Sequence, residues 1–290
     1  MDALLHQVFS GLATGGIYAS VALALVMIYN ATNHINFAQG EMAMFATYVA
    51  WSLIEGGLPY WAAFSVTVGL AFLGGVVLER VVIRPVENAP GLSAVIVSIG
   101  ILVIFNSLAG WWFSYTTRSF PSPFPDSRPF GSSLLSYHEL GSMGVTLAML
   151  VAIYSFFRFT SLGLAMRAAA QNPVSSRLVG IRVGWMLALG WGLAAAIGAV
   201  AGMMVAPIVF LDPNMMGGIL VYAFAAALLG GINNPWGAVV GGFIIGVLEN
   251  LAGAYVVGTE LKLTVALVAI IGTLVVKPDG LLGKTVVSRV

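Results

Sequence analysis

Six stretches of this chain, residues 8–29, 60–78, 92–113, 143–157, 185–211 and 262–276, are nearly unbroken apolar runs. A helix needs about 20 such residues to cross roughly 30 Å of hydrocarbon. Most of the runs reach that length, and the fourth and the last fall short of it. Residues 42–54 and 219–229 are shorter again and read as half-helices or parts of interrupted helices, whereas residues 235–257 form a long Gly-rich span. The pattern predicts an all-α polytopic membrane helix bundle of about eight or nine elements, with interrupted or re-entrant helices, forming a single transmembrane domain over residues 1–290.

Charge is too scarce for anything else. Only 8% of the 290 residues are charged and 59% are hydrophobic, against about 25% charged in a soluble domain. A net charge of +1 with no basic cluster argues against a nucleic-acid footprint. Cysteine is absent, which excludes a disulfide framework, a thiolate metal site and a cysteine nucleophile. Met1-Asp2-Ala3 lacks the basic start of a secretory signal, so residues 8–29 read as a retained first membrane helix.

Basic residues orient such a chain, because Lys and Arg collect in cytoplasmic loops. Arg158, Arg167, Arg177 and Arg182 share one loop without an acid, and Lys277, Lys284 and Arg289 follow the last apolar run. Both regions are expected inside, as is a 79–90 loop carrying Arg80 and Arg84. The 114–142 loop mixes Arg118 and Arg128 with Asp126 and Glu139, contains Pro121, Pro123, Pro125 and Pro129, and reads as an irregular outward loop. Trp51, Trp61, Trp111 and Trp112 lie near the expected outer helix ends, where an aromatic belt belongs. The N-terminus is outside if every short element crosses, and inside if the segment around 33–54 is re-entrant.

Glycine is frequent, with 35 residues, and Gly198/Gly202, Gly237/Gly241 and Gly242/Gly246 stand four apart. Small residues at that spacing let helix backbones approach closely in lipid. Catalytic chemistry has no foothold: His6, His34 and His138 are dispersed, and no zinc, nucleophile-elbow or Walker A motif occurs. Three polar features stand out. The stretch from Asn30 to Glu41 interrupts two apolar runs, and broken helices mark substrate pathways. Asn36, Gln39 and Glu41 are thus path candidates, against an ordinary loop with Asn33 or Asn36 as a helix cap. Glu249 is the one acid inside a long apolar segment; an intramembrane acid costs about 2.5–3.5 kcal/mol and is a functional candidate, against an interhelical hydrogen bond. In the 158–184 loop, Asn172, Pro173 and Gly180 suit the N-cap, first and C′ positions of a helix of about two turns over 173–179. That helix would dock a cytoplasmic partner, unless its arginines do no more than set topology.

Taken in order, several motifs resemble one family. These are Gly11-Leu-Ala-Thr-Gly-Gly-Ile-Tyr-Ala19, Ile35-Asn-Phe-Ala-Gln-Gly-Glu41, Glu79-Arg-Val-Val-Ile-Arg-Pro85, Arg167-Ala-Ala-Ala-Gln-Asn-Pro173 with Gly180-Ile181, Gly230-Gly231 through Pro235-Trp-Gly-Ala238 to Gly241-Gly242 and Glu249, and Lys277-Pro-Asp-Gly-Leu-Leu-Gly283. The chain resembles the inner-membrane permease subunits of bacterial branched-chain amino acid ABC importers, the shorter of their two permease types. Two positions depart from the pattern. Gln39 stands where the family usually has His, which argues against a proton-linked role there. The acid that opens the general importer coupling motif is missing, with Arg167-Ala168-Ala169-Ala170 in its place and Gly180 retained.

The resemblance implies a multi-pass protein of the bacterial inner membrane, paired with a second homologous permease and two ATP-binding subunits. A periplasmic binding protein would deliver the amino acid. ATP and Mg would be bound by the partner subunits, so this chain needs no cofactor, metal or catalytic residue. It also implies that the 158–184 loop couples to the ATPases, with Arg167, Asn172, Pro173, Arg177, Gly180 and Arg182 at the docking surface. Asn36, Gln39, Glu41, Asn106 and Glu249 are the expected substrate path, which lacks a cation–anion pair to clamp a zwitterion. A stand-alone channel or carrier and an intramembrane enzyme are the competing classes; the first works without ATPases, and the second needs paired acids or a ligand set.

Overall fold

The computed structural model describes residues 2–32, 34–86, 91–125 and 135–283. The expectations for Asn33, Asp126, Arg128, Pro129, Lys284 and Arg289 lie outside these residues. Among them run eleven α-helices: α1 (Asp2–Thr32), α2 (Gln39–Glu55), α3 (Tyr60–Leu78), α4 (Gly91–Phe113), α5 (Tyr137–Phe159), α6 (Ser161–Gln171), α7 (Pro173–Leu178), α8 (Val183–Val209), α9 (Met216–Gly230), α10 (Pro235–Tyr255) and α11 (Lys262–Val276). Seven described helices are long and apolar enough to cross a membrane. With 17 and 15 residues, α2 and α9 are the short elements the sequence predicts. The protein is a polytopic all-α membrane bundle.

Three expectations change. The 143–157 run is not short: α5 has 23 residues, because Ser136-Tyr-His-Glu139 forms a capping box. The Glu139 N–H donates to Ser136 Oγ at 3.1 Å, and the Ser136 N–H donates to Glu139 Oε2 at 2.8 Å. The outward loop therefore ends before Tyr137. The 79–90 segment is not a loop at its start, since α3 continues through a π turn (Glu79–Ile83) and a 3₁₀ turn (Arg84–Val86). The Arg80 guanidinium sits 3.8 Å from the Trp185 ring centroid, a stacking that holds the turn to α8. The 158–184 loop contains two helices rather than one, α6 preceding α7.

The chain divides into two compact units. One is built from the chain up to Val26, Phe124–Met143 and the chain from Gly218 onward. In it, glycines bring α1 and α10 together: a Cβ at Gly11 or Gly15 would strike the backbone of Val247 or Phe243, and one at Gly242 or Gly246 would strike Ala19 or Gly15. Gly241 fits against the Ala226 carbonyl and Gly237 against Gly230, so α9 closes on the same face of α10. Asn234 caps α10 by accepting from the Trp236 N–H at 3.1 Å. The segment after α11 is tied to the end of α9 by Leu281 N–H donating to the Leu229 carbonyl at 2.7 Å.

The other unit comprises Met27–Pro123 and Gly144–Gly217, and α8 is its axis. Gly192 lets α8 meet Phe72 and Val76 of α3, and Gly75 of α3 meets the Trp191 carbonyl. Gly198 and Gly202 face Ala43 and Thr47 of α2. All three small-residue pairs are therefore sites of close backbone approach. The most apolar window of α8 is 72% buried, against 22% for α3 and 17% for α4, so α8 is core while α3 and α4 turn their apolar surface outward. Trp111 and Trp112 are exposed at the end of α4, as interfacial tryptophans are.

Candidate functional site

The break between α1 and α2, with the first turn of α2, carries three of the predicted residues, and a fourth, Asn106 of α4, lies in the same second unit. Asn36 folds back through its side chain, Oδ1 accepting from the Ala38 N–H at 3.0 Å, which turns the chain into α2. Its Nδ2 donates to Gln39 Oε1 at 3.3 Å, and Gln39 Nε2 donates to the Ala194 carbonyl of α8 at 2.9 Å. A Cβ at Gly198 would collide with that Gln39 nitrogen, so the glycine is what lets the amide reach α8. Asn36 and Gln39 are buried and their amides are engaged in this relay. Glu41 follows in the first turn of α2, where a negative charge is favoured. It is 8% exposed, and its polar neighbour is the Asn106 side chain of α4. Asn106 Nδ2 donates to the Pro213 carbonyl at 2.9 Å and to Asn214 Oδ1 at 3.2 Å.

Glu249 belongs to the first unit and is not alone there. Tyr18 donates its hydroxyl to Oε2 at 2.7 Å, and Lys262 Nζ lies 3.5 Å from Oε1. Lys262 also donates to Asn250 Oδ1 at 3.1 Å, and Asn250 Nδ2 donates to Thr14 Oγ1 at 3.2 Å. Tyr18 stacks on Tyr222 of α9, with ring centroids 4.8 Å apart. Four helices thus converge on one carboxylate. The sequence suggests no cation–anion pair; folding makes one by laying the Lys262 stem over Gly253, where a Cβ would meet it.

The coupling candidates surround α6 and α7. Thr160 caps α6 by accepting from the Gly163 N–H at 2.9 Å. Gly163, Met166 and Ala169 form the buried face of α6, and Ala169 packs with Val183 and Leu187 at the start of α8. Asn172 Oδ1 accepts from the Ser175 N–H at 2.9 Å, Pro173 opens α7, and Gly180 follows it with φ +84°. These are the cap, first and C′ roles expected of them. Arg167, Asn172, Pro173, Arg177, Gly180 and Arg182 are all exposed. So are the apolar side chains Val174, Leu178 and Val179, the last two 84% and 75% accessible. Sequence reading overlooked these three, although their place on a short helix between two membrane spans was the available signal.

The family described as "Branched-chain amino acid transport system / permease component" matches residues 7–274. The chain belongs to this family. The permease is 33% identical to the high-affinity branched-chain amino acid transport system permease protein LivH of Escherichia coli K12, over 99% of this chain and 97% of that protein. It is 31% identical to the corresponding protein BraD of Pseudomonas aeruginosa, over 99% and 98%. A probable LivH of Methanocaldococcus jannaschii is 28% identical over 91% of this chain and 87% of its own length. As a member of a transport permease family with seven span-length helices, the chain is a multi-pass membrane transport protein.

Proposed function

We propose that this permease is the transmembrane subunit of an ATP-driven importer that moves branched-chain or other amino acids delivered by a periplasmic binding protein. It works in the bacterial inner membrane beside a second, homologous permease, and two ATP-binding subunits supply hydrolysis. ATP and Mg stay on those partners, and this chain contributes no catalytic group, metal or cofactor. The substrate path is sought among Asn36, Gln39, Glu41, Asn106 and Glu249. The family relationship supports the cargo class, since its relatives carry branched-chain amino acid transport in their names.

The observation that carries the coupling role is α7. A six-residue helix with a proper cap at each end exposes Val174, Leu178 and Val179 next to Arg177. An isolated helix of that length does not hold its shape in water, but α6 packs on α8 beside it and fixes its base. A small apolar knob with a basic rim, joined rigidly to a membrane helix, suits a groove on an ATPase and transmits a push. Replacing residues 173–179 by a flexible Gly-Ser linker is expected to abolish co-purification with the ATP-binding subunits and transport-coupled hydrolysis. Retention of both would refute the coupling role.

A further inference from the structure

Three acids are buried in helices among the described residues, Glu41, Glu79 and Glu249, and their surroundings separate them. Glu79 has its neighbour Arg80, with Nε 3.9 Å from Oε2. Glu249 is already compensated. Its carboxylate has Lys262 at 3.5 Å and the Tyr18 hydroxyl at 2.7 Å, and the lysine stem lies in a track that Gly253 leaves clear. Glu41 has no such partner: among the described residues no Lys, Arg or His nitrogen makes an ion pair with it. Its Oε2 is buried without a hydrogen-bond partner. Asn106 offers it a hydrogen-bonding amide, shared with the Pro213 carbonyl and Asn214 Oδ1, and that amide is neutral and brings no positive charge. Asn36 and Gln39 spend their own amides on each other and on the Ala194 carbonyl. The positive end of the α2 dipole offers a partial charge and no more.

A buried carboxylate in this state costs free energy until a cation reaches it. Polar and ionisable groups placed at such expense in a membrane helix mark the path of a charged solute. An amino acid brings one positive group that fits, its α-ammonium, whereas urea or a neutral amide brings none. We infer that Glu41 receives the α-ammonium of the passing amino acid, whereas Glu249 is already held by Lys262. This rests on the import reading above. A single carboxylate without a facing cation for the solute's own carboxylate holds the solute weakly, as a translocation site must if the solute is to leave.

The test uses the complete transporter, with its partner subunits and binding protein, reconstituted in vesicles with ATP and labelled leucine. Glu41→Gln keeps shape and removes the charge. It is expected to lower maximal uptake about tenfold or more, the worth of one charge-assisted contact, with assembly intact and with thermal stability equal to or above that of the wild type. Glu41→Asp keeps part of the uptake. Wild-type uptake by Glu41→Gln would overturn the inference, because Gln imitates a protonated, merely packed Glu. A Glu41→Gln protein that melts earlier or fails to accumulate would overturn it too, since the charge would then be serving the fold. If the wild-type vesicles take up neither leucine nor any other labelled amino acid of a standard set, the import reading itself fails, an outcome visible without any variant.

Discussion

Lys262 starts α11 at the end of a helix where a cation is disfavoured, since the first turn already carries the positive end of the dipole. Its ammonium is turned instead onto Glu249 and Asn250. Removing one partner of such a pair leaves the other buried and unmatched, which costs about 3 kcal/mol in soluble proteins, while replacing both can be nearly neutral. Lys262→Met alone is therefore expected to lower the unfolding temperature of the detergent-solubilised permease, and the double variant with Glu249→Gln to recover most of the loss. Equal loss in the single and double variants would show that the pair is not coupled. Glu249 was legible in the sequence as an acid in an apolar span. Lys262, Tyr18 and the clearance at Gly253 were not, because their meeting depends on how α1, α10 and α11 are placed side by side.

Helices in lipid gain nothing from burying apolar surface, so the elements here associate where small residues let backbones touch. At Gly246, a side chain would enter the backbone of Gly11 and Gly15. Gly246→Leu is expected to force α1 and α10 apart and to destabilise the protein by about 1–3 kcal/mol, as overpacking does, measured as earlier thermal aggregation in detergent. Gly272 has open space beyond it, so Gly272→Leu is the control that should behave as wild type. Caps are the second element-scale device. Ser136→Ala removes the box that starts α5 and should cost about 1 kcal/mol, read by the same melt. Asn172-Pro173 and Gly180 announced α7 correctly by their chemistry, and Ser136-Tyr-His-Glu139 has the equally plain pattern of a capping box. It lay in a proline-rich stretch whose composition suggested a loop, and one hydrogen-bonded box outweighs that local composition.

At the scale of the molecule, one contact bears on orientation. Ser10 donates its hydroxyl to Glu139 Oε1 at 2.8 Å, so the N-terminal part of α1 and the start of α5 lie at the same end of their unit. The 114–142 loop is expected outward on its mixed charge, and α1 would then begin outside as well. A reporter fused at residue 2 should read as periplasmic in whole cells. A cytoplasmic signal would mean that the 114–142 loop faces inward with it.

Apolar run length, scarce charge and the glycine spacing were enough to define a helical membrane bundle, because these are properties of single segments against lipid, and the ordered motifs pointed to its family. Cap chemistry likewise placed α7, since a cap acts within a few residues. The partners of buried polar groups are different in kind. Gln39 reaches Ala194 and Glu249 reaches Lys262 and Tyr18 across helix contacts that no local pattern encodes. Whether an intramembrane acid is neutralised or left waiting for a cation is set by that packing, and it is what separates Glu249 from Glu41.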